Sequence, residues 1–309
     1  MKTLASTRCN TARRIIRHIG WSFLVLMVLA QRAWPVPKDW TEAQKPFQIA
    51  DNLYYVGSRD LAAYLVVTPK GNILLNANLA SSPPQIRASV RELGFHWRDT
   101  KILLLSQAHY DHAAGAAEIV QETGARLMVM DGDAQVVETG DAHDFGGPDL
   151  RPYTPVHVDE VLHDGEVVRL GGVALTAHRT AGHSRGCTTW TMTAKLKGEP
   201  QPVVIVGGYA ALNSYRLVGT TGHPASYPGI ATDFEHTFAE LRALPCGIFL
   251  GAHGSYFGMQ AKLAQVPSKG EQVWIDPAGY RQMIAGAEQA FDRRIAEQRQ
   301  QNEAAPRGI

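Results

Sequence analysis

Cysteine is scarce in this chain of 309 residues, which has only three, at positions 9, 187 and 246. Three are too few for the disulfide network that stabilises small secreted proteins, and none has the CxxC spacing of a metal site. Cys9 lies in the segment that we interpret below as a leader. Cys187 and Cys246 either form one disulfide in an oxidising compartment or stay unpaired, and their spacing does not decide between the two.

The chain also lacks an apolar run of the roughly 18 residues that a transmembrane helix needs. Its most apolar stretch, residues 20–30, is shorter and follows a segment that is rich in arginine. A basic segment, a short apolar stretch and small residues behind it are typical of a secretory signal peptide. We therefore predict a signal peptide over residues 1–30, cleaved after Ala30 or Ala33, and an exported, periplasmic protein. An uncleaved membrane anchor is the alternative.

A strong excess of charge of either sign is missing too. The formal net charge is +1, but five of the 30 basic residues and no acidic residue lie in the first 30 positions. The rest of the chain therefore has 25 basic against 29 acidic residues. Such a mildly acidic body has no polyanion-binding signature, so we expect no nucleic-acid partner.

Linkers and repeats are absent after residue 40, and we predict one domain over residues 31–309 with a polar C-terminal tail.

Short β-rich runs alternate with helical patterns along this domain. In the first half, strands are predicted at residues 73–75, 101–105 and 126–130, and helices at 83–93 (after an N-cap at Ser82) and 114–123. In the second half, strands are predicted at residues 173–177, 188–193, 203–206 and 247–250, and helices at 233–243 and 277–298. This mixture predicts an α/β (α+β) fold in which sheet packs on sheet with helices outside.

Histidine, by contrast, is plentiful, and four of the 12 histidines follow predicted strands. The segment Gln107-Ala-His-Tyr-Asp-His112 places three ligand-type side chains in four residues, directly after the strand at 101–105. His183 and His253 follow two further strands. Loops at the ends of neighbouring strands meet at one edge of a sheet, where sites of α/β proteins commonly lie.

Zinc favours the imidazole and carboxylate ligands that these loops carry. Asp111, His112 and His253, which we call the Asp–His–His group, would make a complete three-ligand site with an open position for water. The alternative is that each histidine is an ordinary hydrogen-bonding loop residue.

A second zinc site would use Gln107, His109 and His183, which we call the Gln–His–His group. An amide oxygen is a weaker zinc donor than an imidazole nitrogen. We therefore expect up to two Zn²⁺ ions, with the Asp–His–His group as the tighter site.

Around these motifs the chain resembles the subclass B3 metallo-β-lactamases. The likeness rests on residues 46–57, 60–65, 85–95, 107–115, 182–190, 244–246 and 251–253, and it extends over residues 46–295. It implies a four-layer αβ/βα sandwich with the metal site at the sheet edge. It also places Gln107 where the family usually has the first histidine of a His-x-His pair, a natural variation within this subclass.

The resemblance implies zinc-dependent hydrolysis of the β-lactam ring amide of penicillins, cephalosporins and carbapenems, and hence antibiotic resistance. Zinc lowers the pKa of a bound water to about 7, so that hydroxide is available at neutral pH. Asp111 would ligate zinc and orient that hydroxide. Tyr215, in a Tyr-x-Leu stretch where the family has a tyrosine, would stabilise the oxyanion; a packing role is its alternative.

The loop after the strand at 203–206 departs from the family. Many members have serines there that contact the substrate carboxylate, whereas this chain has Tyr209 and Ala211 at the matching positions. We therefore take Tyr209, Asn213, Ser214 and Arg216 as the candidate substrate-binding residues. The expected partner is a small-molecule β-lactam, and the expected state is a monomer without stable membrane association after signal cleavage.

Two other functions fit the same ligands. One is another hydrolase of this fold, acting on a thioester, a lactone or a phosphodiester. The other is a metal-binding protein that has lost catalysis, for which Gln107 and the altered serine positions are the only support.

Overall fold

A computed structural model describes residues 35–141, 144–147, 151–220 and 222–304. Residues 36–309 group into one compact unit. The predicted signal peptide, residues 1–30, lies outside the described residues. Among the residues that the structure describes, no helix has both the length and the apolar character needed to cross a membrane.

In the described part of the chain, the first sheet has seven strands that lie side by side in chain order. They are β1 (Phe47–Ala50), β2 (Leu53–Tyr55), β3 (Tyr64–Thr68), β4 (Gly71–Leu75), β5 (Thr100–Leu104), β6 (Arg126–Met130) and β7 (Glu160–Leu162). Strands β1 to β4 pair antiparallel, whereas β4 to β7 pair parallel. Parallel neighbours need crossover connections, and the helices α1 (Pro83–Glu92) and α3 (Ala116–Thr123) lie in two of them.

The second sheet has five strands among the described residues, in the order β12-β11-β10-β9-β8. They are β8 (Val167–Leu170), β9 (Val173–Arg179), β10 (Thr188–Leu196), β11 (Glu199–Val206) and β12 (Ile248–Gly251). Only β11 and β12 pair parallel, and the helix α5 (Ile230–Ala243) lies in the connection between them.

Helices cover the outer face of each sheet, and apolar side chains fill the layers between. The remaining helices are α2 (Tyr110–Ala113), α4 (Ala134–Thr139), α6 (Met259–Leu263), α7 (Val266–Lys269) and α8 (Pro277–Ala304). Ile119 of α3 packs with Leu103 and Val129 on the outer face of the first sheet. Trp190, from the second sheet, is fully buried in the other cluster, which includes Leu104 of the first sheet. The four-layer αβ/βα sandwich is therefore confirmed.

Two predicted helix starts differ from the structure by two or three residues. The helix predicted over 233–243 begins at Ile230, and the helix predicted over 114–123 begins at Ala116, after the short helix α2 has ended at Ala113. Gly115 occupies the break, where a Cβ would overlap the carbonyl oxygen of Ala77. Ser82 does precede α1, but its side chain makes no capping hydrogen bond.

The two cysteines of the described residues are free thiols, which decides between the alternatives left by the sequence. Cys187 is fully buried, and its Sγ lies 2.9 Å from the backbone nitrogen of Gly208. Burial raises the pKa of the Cys187 thiol to about 12, so the sulfur stays protonated. It therefore acts as a small apolar residue that also anchors the loop after β11.

Candidate metal centre

Three strands end close together at one edge of the sandwich, and each is followed by candidate ligands. Strand β5 leads to residues 107–112, β9 leads to His183, and β12 leads to His253. The backbone N–H of Thr188 donates to the carbonyl of Ser106 at 2.7 Å, which joins the two sheets at this edge.

The structure brings the three residues of the Asp–His–His group together. Nε2 of His112 lies 3.2 Å from Nε2 of His253. Oδ2 of Asp111 lies 3.3 Å from the first nitrogen and 3.5 Å from the second. All three residues are buried, and their donor atoms lie within 4.8 Å of one another. Three converging donor atoms of these types match the ligand set of a catalytic zinc site with one open position.

The charges of this group suit a cation. Burial would raise the pKa of Asp111, but His112 and His253 lower it well below its usual value, so the carboxylate is ionised. Burial lowers the pKa of His112. Burial acts on His253 in the same direction, but hydrogen bonds to Asp111 and Asp60 outweigh it and raise the His253 pKa to about 9. A metal ion would displace the proton of His253, so metal binding is expected to weaken as the pH falls.

Asp60, which no sequence motif marks, orients the ring of His253. His253 Nδ1 donates to Asp60 Oδ2 at 2.9 Å, which leaves Nε2 free to face Asp111 and His112. The same carboxylate accepts hydrogen bonds from Trp40 Nε1 at 3.2 Å and from the backbone N–H of Ser255 at 2.8 Å. A carboxylate behind a histidine ligand fixes the ring orientation and raises its basicity.

All three residues of the Gln–His–His group are buried. The ring centroids of His109 and His183 are 4.8 Å apart. His183 Nδ1 donates to the carbonyl of Ala210 at 2.7 Å, which leaves Nε2 as the donor atom. Burial lowers the pKa of His183 to about 3, so its imidazole is neutral. The buried Gln107 Oε1 has no hydrogen-bond partner among the described residues, an unfavourable state that a metal ion would relieve.

Comparison with known proteins agrees with this geometry. A family model described as the metallo-β-lactamase superfamily matches residues 59–195. The chain is 44% identical to the native FEZ-1 metallo-β-lactamase of Legionella gormanii, over 86% of this chain and 99% of that one, with a TM-score of 0.81. The chain belongs to the metallo-β-lactamase superfamily.

Two further relatives indicate the subclass and the type of activity within this superfamily. BJP-1, a subclass B3 metallo-β-lactamase of Bradyrhizobium japonicum, is 36% identical over 84% of this chain and 97% of that one, with a TM-score of 0.78. A metal-dependent hydrolase of Anaeromyxobacter dehalogenans is 27% identical over 210 residues. That match spans 66% of the curated relative's length. The resemblance to subclass B3 is confirmed, and the chain is a hydrolase of a metal-dependent family.

Tyr215 of this metallo-β-lactamase homologue lies at the Gln–His–His group. Its hydroxyl is 3.5 Å from His109 Nε2 and donates to the carbonyl of His183 at 2.5 Å. The side chain is only 1% exposed, and Phe145 packs against its ring with 5.0 Å between centroids. These contacts favour a packing role over oxyanion stabilisation. The hydroxyl already donates its hydrogen bond to a backbone carbonyl, so it is not available to donate to an oxyanion.

We therefore expect Tyr215→Phe to reduce kcat by less than about tenfold. Loss of an oxyanion donor would instead reduce kcat by about 10²–10³-fold. Steady-state kinetics of the metal-loaded variant distinguish the two roles, and a reduction of a hundredfold or more would restore the oxyanion assignment.

The candidate substrate-binding residues are spread over the loop after β11. The ring of Tyr209 lies 4.5 Å from that of Tyr256, which lies 4.9 Å from the His253 ring. Ser214 Oγ donates to the carbonyl of Gly146, and the guanidinium of Arg216 donates to that of Pro224. Asn213 is exposed. Only Tyr209 is linked to a candidate metal ligand by these contacts, and the substrate roles of all four residues stay predictions.

Proposed function

We propose that this protein is a zinc-dependent β-lactamase that hydrolyses the ring amide of penicillins, cephalosporins and carbapenems, and so confers antibiotic resistance. One observation carries the proposal. The buried Asp–His–His group occurs in a chain that is 44% identical to the FEZ-1 metallo-β-lactamase over 99% of that enzyme's length.

Two zinc ions fit the side chains of the site. The Asp–His–His group would hold one ion, and the Gln–His–His group, with its unpartnered amide oxygen, would hold the other. Bound zinc supplies a Lewis acid and a water that ionises near neutral pH.

The protein's own side chains orient this chemistry. Asp111 directs Oδ2 toward His112 and His253, while 11% of its side chain stays exposed. Its second carboxylate oxygen is then available to accept a hydrogen bond from the attacking water. Asp60 and the Ala210 carbonyl hold the rings of His253 and His183 in fixed orientations. The ligands are thus positioned before substrate arrives, which lowers the cost of reaching the transition state.

Gln107 makes the zinc affinities of the two groups unequal. We expect Gln107→His to tighten zinc binding at the Gln–His–His group by about tenfold or more, because imidazole is the better zinc donor. The Asp–His–His group should keep its affinity. Calorimetric zinc titration of the metal-free protein checks this result, and equally tight occupancy of both sites in the unaltered protein would contradict it.

A substrate panel tests the reaction itself. Zinc-loaded protein is mixed with a chromogenic cephalosporin and a carbapenem, beside a thioester, a lactone and a phosphodiester, with a chelated sample as control. Hydrolysis of both β-lactams that is lost on chelation supports the proposal. Hydrolysis of another substrate alone would favour a different hydrolase, and no hydrolysis would favour a protein that has lost catalysis.

We further propose that the protein is exported to the periplasm and acts there as a monomer on small molecules. The basic and apolar leader pattern of residues 1–30 and the mildly acidic remainder support this proposal. Cell fractionation and light scattering of the purified protein test it.

A further inference from the structure

Asp133 is a buried carboxylate with no part in the chemistry described so far. It lies between β6 and α4 and is 1% exposed. One oxygen, Oδ2, accepts hydrogen bonds from the backbone N–H of Ala108 at 2.8 Å and from Ser184 Oγ at 2.7 Å. The other, Oδ1, accepts the backbone N–H of Gly186 at 2.7 Å.

Two of the three donors lie next to a member of the Gln–His–His group in the chain. Ala108 separates Gln107 from His109, and Ser184 follows His183 directly. One carboxylate therefore joins the loop after β5, in the first sheet, to the loop before β10, in the second. We propose that Asp133 is a positioning residue that sets the spacing of these two loops, and with it the metal affinity of the Gln–His–His group. This inference depends on the two-ion centre proposed above.

The backbone around Asp133 is shaped for this close approach. A Cβ on Gly186 would lie 2.5 Å from the backbone nitrogen of Asp133. Gly132, at φ +94°, would place a Cβ 2.8 Å from the carbonyl carbon of Arg185. Glycine on both sides lets the two segments approach closely enough for all three hydrogen bonds, which a side chain at either position would prevent.

A carboxylate is the side chain that these donors require. All three partners donate, and an ionised carboxylate only accepts. Asparagine would turn an NH₂ group toward at least one donor and leave that donor unpaired in a buried position. The Asp–His–His group has its own outer carboxylate, Asp60, so loss of Asp133 should affect the two groups unequally.

The test is a zinc titration of the full metal-free chain, with cobalt absorption spectra as an independent readout of ligand geometry. Outer partners of metal ligands change metal affinity by about 10–100-fold. We expect Asp133→Asn to lower the zinc affinity of the weaker binding step, which we assign to the Gln–His–His group, by that factor. The affinity of the tighter step should stay unchanged. Asp159→Asn is the matched control, because Asp159 also accepts a backbone N–H, that of Leu127 at 2.8 Å. This control should change neither step.

Ser184→Ala removes only one of the three hydrogen bonds and serves if Asp133→Asn fails to fold. It should give a smaller loss at the same step. Equal weakening of both steps, or unchanged affinities in both variants, would overturn the positioning role while leaving the two-ion centre intact. A single binding step in the unaltered protein would contradict the two-ion centre itself, and the inference with it.

Discussion

Replacing Asp111 with asparagine is expected to lower kcat/KM for a cephalosporin by at least about a thousandfold, which corresponds to about 4 kcal/mol of lost transition-state stabilisation. Asp111 is the only anionic member of the Asp–His–His group, and its Oδ2 lies 3.3 Å from His112 and 3.5 Å from His253. The amide keeps the shape but removes the charge that attracts the metal. If the amide oxygen faces the metal, the group that faces the attacking water is an NH₂ donor in place of a carboxylate oxygen that accepts.

The measurement combines steady-state kinetics with the zinc content of the dialysed protein. Asp164→Asn is the control, since Asp164 is an exposed aspartate that accepts the backbone N–H of Arg179 at 2.9 Å, away from the ligands. The control should retain full activity and zinc. An Asp111→Asn variant within tenfold of the unaltered activity would remove Asp111 from the centre of the mechanism.

Gly208→Ala is expected to lower zinc affinity at the Gln–His–His group by about a hundredfold, as strongly as loss of an outer metal-ligand partner. A Cβ at position 208 would overlap ring atoms of His183. The ring would have to turn, and its 2.7 Å hydrogen bond from Nδ1 to the carbonyl of Ala210 would be lost. Hydrolysis of β-lactams with both zinc ions bound should fall together with this zinc affinity.

Gly286→Ala is the matched control for this variant. Gly286 lies in α8, and a Cβ there would meet nothing within 4 Å. Alanine also favours a helix over glycine, so the control should fold at least as stably as the unaltered protein. Unchanged zinc affinity in Gly208→Ala would show that His183 does not ligate zinc in the orientation seen here.

The layered fold and the convergence of the ligand loops could be predicted from the sequence, because their signals are local. An apolar strand at 101–105 followed by three ligand-type side chains within four residues is visible without knowledge of distant contacts. The start of α3 differs from the prediction by two residues. Gly115 precedes this helix, and a Cβ there would overlap the carbonyl oxygen of Ala77, a contact with a distant part of the chain that the local pattern does not show.

The residues that orient the ligands could not be predicted in this way. Asp60 is 193 positions from His253, and Asp133 is 51 positions from Ser184. Each is a single aspartate without a motif, and only the folded chain shows what its carboxylate accepts. The direction of the Tyr215 hydroxyl, toward a backbone carbonyl, is likewise a property of the packed loops.

Anomalous diffraction at the zinc edge, from crystals of the zinc-loaded protein, tests the central claim most directly. We predict a strong peak about 2.0–2.2 Å from Asp111 Oδ2, His112 Nε2 and His253 Nε2, and a weaker one at Gln107, His109 and His183. Zinc bound elsewhere on the chain, with these side chains turned away from one another, would contradict the account.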